Sequence, residues 1–248
     1  MTPTPRRTFD RGIRLFEHPL LDWGSRVHPA LPLLFWGPIS LGLIVRALWG
    51  STSAGAVAVS VVVGFFGWFL AEYAIHRWFF HFRPRSLRMR RLFYLVHEHH
   101  HRYQERDRLL APPLMSLAIG GMLALAFLAV MPWIGVDVML AFAGGFAAGY
   151  LCYDYTHYLI HFARPRTRWG RYVRRCHLEH HFSTPERWFC ISIPWVDYLF
   201  GTAGLRGPKS SRPEIEPHDL WDDESLPPLV RAYEAEEHHK QTVSPGSP

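Results

Sequence analysis

The chain has 248 residues, 48% of them hydrophobic and 15% aromatic with ten tryptophans, yet its mean hydropathy is only −0.04, which excludes a wholly embedded protein and fits one with a membrane half and a polar half. Its net charge of +6 rests almost entirely on arginine, since Lys209 and Lys240 are the only lysines. No nucleic-acid motif accompanies this basicity and the arginines flank apolar runs, so the expected partner is a membrane surface and not nucleic acid; the three cysteines, Cys152, Cys176 and Cys190, lack paired spacing and exclude a disulfide scaffold, reading instead as small buried apolar residues.

Residues 1–28 are polar and Arg-rich with scattered Phe9, Ile13, Leu15, Phe16, Leu20 and Leu21, a pattern that predicts an interfacial amphipathic segment; no cleaved signal peptide is expected. From Pro29 to Trp49 runs an apolar stretch of the length needed to cross a bilayer core of roughly 30 Å. Pro32 and Pro38 are candidate kinks, and Arg46 must snorkel at the far end. After a short turn at 50–53, a second run from Ala54 to Ala71 crosses back and delivers Glu72 and His76 to the starting side.

Residues 77–108 then carry nine arginines, which places this loop in the cytoplasm by the positive-inside rule. A second pair of crossings is predicted at Leu114–Ile134 and Val138–Tyr158, turning at 135–137, with Gly120, Gly121, Gly144, Gly145 and Gly149 as candidate points of close helix approach. Both termini are therefore expected in the cytoplasm of a multi-pass protein, in a bacterial inner membrane or, in a eukaryote, the endoplasmic reticulum. The expected division is an N-terminal segment (1–28), a membrane-embedded domain with its cytosolic cap (29–206) and a polar C-terminal tail (207–248) whose last residues, TVSPGSP, read as disordered.

Ten histidines follow the apolar runs at helical or near-helical spacing. His97, His100 and His101, like His177, His180 and His181, have residues three and four apart, and His157 and His161 lie one turn apart, so each set can present imidazoles together. His76 and His81 are five apart, roughly 140° around an ideal helix. Either the helix loosens before Pro84 or the two serve different metals. Ten imidazoles exceed the ligands of one ion, and burying them unpaired would be costly, so two metals are expected in one site. His99 falls out of phase, and His18, His28, His218, His238 and His239 read as ordinary polar residues.

The order H-x4-H, H-x2-H-H, H-x3-H, H-x2-H-H resembles the integral-membrane fatty acid hydroxylase and sterol desaturase superfamily. DRLLAPP (107–113), YDYTHY (153–158) and FCISIPWVDYLFGT (189–202) bring it closest to the fatty acid 2-hydroxylase branch. The second motif departs from the family in reading HEHHH, and Phe162 stands where a further histidine often follows. The resemblance implies four transmembrane helices in two hairpins under a cytosolic histidine-rich helical cap. It also implies a dimetal centre of two iron ions, replaceable by zinc, whose ligands and catalytic residues would be His76, His81, His97, His100, His101, His157, His161, His177, His180 and His181.

Acid–base side chains cannot abstract hydrogen from an unactivated CH2, so the oxidising power must come from metal and O2, with the protein orienting one carbon of a lipid acyl chain. Metals near the membrane surface favour C2. Desaturation or sterol oxidation is the alternative within enzymes; a membrane metal transporter or binding protein is the alternative outside them, disfavoured because the histidines lie at the ends of the crossings. Electrons are expected from a separate cytochrome b5-like protein, ferredoxin or reductase, attracted to arginines around 83–91 and 164–175. Asp154, Glu98, Glu179 and Asp197 are candidates to orient imidazoles, and Tyr153, Tyr158 and Trp195 to line an acyl tunnel.

Overall fold

A computed structural model describes residues 14–204 and 216–243, with the side chains of Leu114 and of 239–243 outside the description. All regular structure among the described residues is helical. Four helices are long and apolar enough to cross a membrane: α2 (Leu31–Leu48), α3 (Ala54–Ala74, continued to Phe80), α6 (Pro113–Ile134) and α7 (Val136–Phe162). Around them stand α1 (Pro19–Gly24), α4 (Leu87–Phe93), α5 (His99–Arg102), α8 (Arg168–Phe182), α9 (Trp195–Leu199) and α10 (Pro228–Val243).

Helix α7 is the central one, because small residues on it admit its neighbours' backbones. A side chain on Gly145 would meet the carbonyl of Val61 and one on Gly149 that of Phe65, while Gly144 faces Ser40 and Ile44 of α2. Gly64 plays the same part on α3, facing the carbonyl of Phe142. Ser40 Oγ donates to the Gly144 carbonyl at 2.7 Å, a buried polar contact between the two helices. Gly121, expected in this role, faces open space.

The two connecting turns lie side by side. Asp137 accepts from Thr52 N–H at 3.2 Å and lies 3.8 Å from Arg46, so that arginine reaches an anionic partner at the helix end. The α3 start is capped by Ser53 Oγ, which accepts from Ala56 N–H at 3.3 Å, and α8 by Thr167 Oγ1, which accepts from Gly170 N–H at 3.0 Å.

At the opposite end of the bundle the polar segments fold into a cap. Residues 216–243 contribute α10 and a core in which Leu220, Leu229, Val230 and Tyr233 bury with Leu15, Tyr94 and Tyr103. Each such aliphatic side chain stabilises by about 1.5–3 kcal/mol, enough to dock a stretch whose composition is otherwise polar. That stretch is therefore more than a tail; residues 244–248 lie outside the described residues, as do Phe9 and Ile13.

The N-terminal segment is tied down by ionic contacts. Asp22 accepts from the backbone of Leu15 at 2.6 Å and from Arg108 at 2.9 Å, and Arg26 bridges Asp22 and Asp107. Helix α1 meanwhile exposes Leu20, Leu21 and Trp23, the apolar face expected of an interfacial segment.

Candidate metal centre

The ten histidines converge as two groups of five. His76, His81, His97, His101 and His180 form one, and His100, His157, His161, His177 and His181 the other, with the ligand nitrogens of each group all within 4.8 Å of one another. Within each triplet the residues four apart stay together and the residue three along crosses over. His97 and His101 remain in the first group while His100 joins the second; His177 and His181 remain in the second while His180 joins the first. The reason is angular: consecutive helical residues point about 100° apart, so adjacent histidines address two different centres.

The five-residue spacing of His76 and His81 is resolved by a local π-turn. Residues Ile75–Phe80 are π-helical, and His81 N–H donates to the His76 carbonyl at 3.2 Å, an i to i+5 bond. The wider turn brings His81 round to the face of His76, with their Nε2 atoms 3.3 Å apart. A second π-turn, Tyr94–Glu98, precedes α5. The helix loosens before Pro84, and the two histidines fall in the same group of five.

The donor chemistry fits metal ions. His76 Nδ1–H donates to the Phe189 carbonyl at 2.6 Å and His180 Nδ1–H to the Arg187 carbonyl at 2.5 Å, which fixes their Nε2 atoms as bare lone pairs. His76 Nε2 then faces His97 Nε2 at 3.1 Å, and His180 Nε2 faces His81 Nε2 at 3.1 Å. In the second group His100 faces His157 at 3.1 Å and His161 faces His177 at 2.8 Å. Nitrogens about 2.1 Å from a shared ion stand roughly 3 Å apart, so these spacings suit common coordination. His181 is buried with neither ring nitrogen hydrogen-bonded, and His177 Nδ1 is likewise unpaired, an arrangement expensive without a cation to accept the lone pairs.

Electrostatics point the same way. Burial, and then the neighbouring imidazoles, hold His97, His100, His177, His180 and His181 well below the usual histidine range, and His101 is pushed down to about 3. Neutral imidazoles are the form that binds metal. The groups abut: the His101 and His181 rings lie 4.3 Å apart, and the His97 and His100 rings 5.8 Å.

The supporting contacts come mostly from backbone, invisible to a reading of side chains. Trp188, fully buried, adopts a left-handed conformation (φ 59°) between the two carbonyls that hold His180 and His76. That conformation costs a bulky residue about 1–2 kcal/mol and is retained by surrounding bonds. Asp197 supplies two of them, accepting from Phe189 and Cys190 N–H at 2.9 Å each, and a third from Thr202 Oγ1 at 2.6 Å. It thus orients His76 through the loop and not by direct contact. Asp154 accepts from Tyr150 OH at 3.2 Å. Glu98 stands 3.9 Å from His81 Nδ1, and Gln104, not anticipated from the sequence, meets His161 Nδ1 at 3.2 Å. Glu179 offers its backbone carbonyl to Ser183 and Thr184 N–H.

A cavity of about 730 Å³ opens against both groups, lined by His76 and His97 of the first and His100 and His157 of the second. It continues between α2, α3, α6 and α7 along largely apolar walls and reaches Ser25 and Arg108 on the cap side. Tyr153 lines it; Tyr158 packs on Phe162 instead, and Trp195 is exposed against Trp169. His99 lines the cavity but joins neither group, and burial pushes it down to about 4. Cys176 and Cys190 are buried as expected, whereas Cys152 is exposed.

Comparison with known proteins gives this constellation a family. The family described as fatty acid hydroxylase matches residues 61–202. The chain belongs to the fatty acid hydroxylase family. This hydroxylase is 31% identical over 175 residues to dihydroceramide fatty acyl 2-hydroxylase FAH1 of Arabidopsis thaliana, covering 70% of this chain and 72% of that one. It is 33% identical over 218 residues to fatty acid 2-hydroxylase of Homo sapiens, covering 77% of this chain and 57% of the human one. A solved structure of full-length scs7p, in which only the hydroxylase domain is visible, superposes with a TM-score of 0.70 at 27% identity, covering 77% of this chain and 72% of that one. The hydroxylase is accordingly an oxidoreductase of lipid metabolism and a multi-pass membrane protein.

Proposed function

We propose that this hydroxylase inserts oxygen from O2 at C2 of a lipid acyl chain, using two iron ions, one held by each five-histidine group. The single observation that carries the reading is that both groups face one end of a deep apolar cavity. Iron so held would supply the reaction with O2 that side chains cannot perform, and zinc, which accepts the same imidazoles, would occupy the groups without that redox chemistry.

The chain's own residues do the rest. Phe189 and Arg187 carbonyls fix the tautomers and ring orientations of His76 and His180. The walls of α2, α3, α6 and α7 exclude water and hold the hydrocarbon in one direction, a positioning contribution that lowers the barrier by restricting the reacting carbon. Ser25, His99 and Arg108 line the cavity on the cap side, and a lipid whose polar end lies there has its first carbons beside the histidines. That order favours C2 over mid-chain positions.

The same reading orients the protein. Four crossings form two hairpins under a cytosolic cap, with both termini in the cytoplasm and residues 50–53 and 135–137 outside; the domain proper spans 29–206 between the N-terminal segment and the C-terminal region. The arginines around Arg85 and Arg88 and along 164–175 support this side as cytoplasmic. Two electrons per turnover come from a separate carrier docking on that face. Expression in cells lacking 2-hydroxy lipids, followed by mass spectrometry of the lipid extract, should reveal 2-hydroxyacyl species with this chain and none with its His100→Ala variant; an extract unchanged by the wild-type chain would refute the proposal.

A further inference from the structure

Helices α6 and α7, joined through the single residue Gly135, form a wedge in the sense that the cavity lies between them toward the histidine end, where residues of both helices line it. Its lining on α7 extends from His157 down to Ala143, fourteen residues or about 21 Å at the helical rise, which exceeds the ~15 Å of half a bilayer's hydrocarbon core. On α6 the lining ends at Phe127.

At that level the wedge is filled by aromatic rings. Phe127 of α6 stands edge-on to Phe142 and Phe146 of α7, with centroids 5.4 Å and 5.3 Å away. Phe127 and Phe142 are eight and seven residues from Gly135, about 10–12 Å along their helices, so each crosses the gap from its own side at matching depth. Ala143 flanks this aromatic cluster at the same level, and just above it Ala147 leaves room in an α7 wall that continues through Tyr150 and Tyr153 to His157.

We infer that Phe127, seated against Phe142 and Phe146, is the floor of the acyl site and sets the chain length that this hydroxylase accepts, its substrate being a lipid whose long acyl chain enters the cavity whole. This rests on the acyl-hydroxylase reading, and adds to it the residue that decides specificity. Removing the ring at 127 opens the part of the wedge nearer Gly135; adding one at Ala147 raises the floor by about a turn relative to Ala143.

The test uses the purified full chain in lipid nanodiscs and reads binding, independently of turnover. A fluorescent fatty acid is displaced by saturated fatty acids of graded length, and product lengths are read in parallel by mass spectrometry. The wild-type chain should show a length optimum, Phe127→Ala should move it to longer chains, and Ala147→Phe to shorter ones, with metal content unchanged in both. Phe127→Leu, a milder change, should move it in the same direction as Phe127→Ala and serves if the alanine variant does not fold. Folded variants that keep the wild-type optimum would overturn the assignment of the floor while leaving the hydroxylase reading intact. A wild-type chain that binds no fatty acid of any length would overturn both.

Discussion

His101 and His181 stack face to face across the boundary between the two histidine groups, with ring centroids 4.3 Å apart and planes 13° from parallel. Each belongs to an i, i+4 pair that stays within its own group, while the neighbouring His100 and His180 exchange sides. The two centres are therefore interlocked, each completed by one histidine from the other half of the chain.

This exchange has a direct consequence for metal content. Purified protein should carry about two ions per chain. His100→Ala removes a ligand from the group built around His157 and His161, and His180→Ala one from the group built around His76 and His81, so each should lower the metal content and abolish product. Full activity in either variant would contradict the assignment.

Asp197 acts through the loop that bears the Phe189 and Arg187 carbonyls. It is fully buried, and although burial pushes its carboxyl upward, bonds from Thr202, Cys190 and Phe189 oppose that rise. Asp197→Ala should free Phe189 and Cys190 N–H, let the left-handed turn at Trp188 relax, and weaken metal binding by about 10-fold to 100-fold, the usual effect of losing such support. The readout is metal retention against a graded chelator. Wild-type retention would show that the loop holds its shape without Asp197.

Acid should destabilise the metal-free protein. Burial holds His101 down to about 3 and His99 to about 4, below the value near 6.5 of an unfolded chain. The unfolded state therefore binds more protons as the pH falls below about 6.5, so the stability these groups contribute is complete above that pH and is lost on acidification toward their folded values, by up to about 1.4 kcal/mol per group per pH unit. Thermal unfolding of chelator-treated protein should move to lower temperature between about pH 7 and pH 5; a flat profile would mean that the imidazoles are already charged in the folded state.

The membrane orientation is open to labelling. Ser51 and Ser86 are both exposed and lie at opposite ends of the bundle. In a background with Cys152 replaced by serine, Ser51→Cys should react with an impermeant reagent from outside and Ser86→Cys should not. The opposite pattern would invert the topology.

The four crossings were legible because length and apolarity are local properties, and observed and expected ends differ by only a few residues except where α3 runs on to Phe80 and α7 to Phe162. That ten histidines would gather was legible from chemistry and spacing. Their partition was not, because whether His76 and His81 share a face depends on a π-turn, and which triplet member crosses depends on how two distant helices are set against each other. The carbonyls of Arg187 and Phe189 carry no side-chain signal at all. Composition also misjudged the C-terminal region, where six buried residues from Leu220 to Tyr233 suffice to dock a largely polar stretch.

The most direct test of the account is oxygen labelling. Purified, iron-loaded protein given lipid, a reductant with an electron carrier, and ¹⁸O2 should form 2-hydroxyacyl product carrying the label at C2, and His180→Ala should form none. Unlabelled hydroxyl, a label on another carbon, or a desaturated chain in place of a hydroxylated one would contradict it.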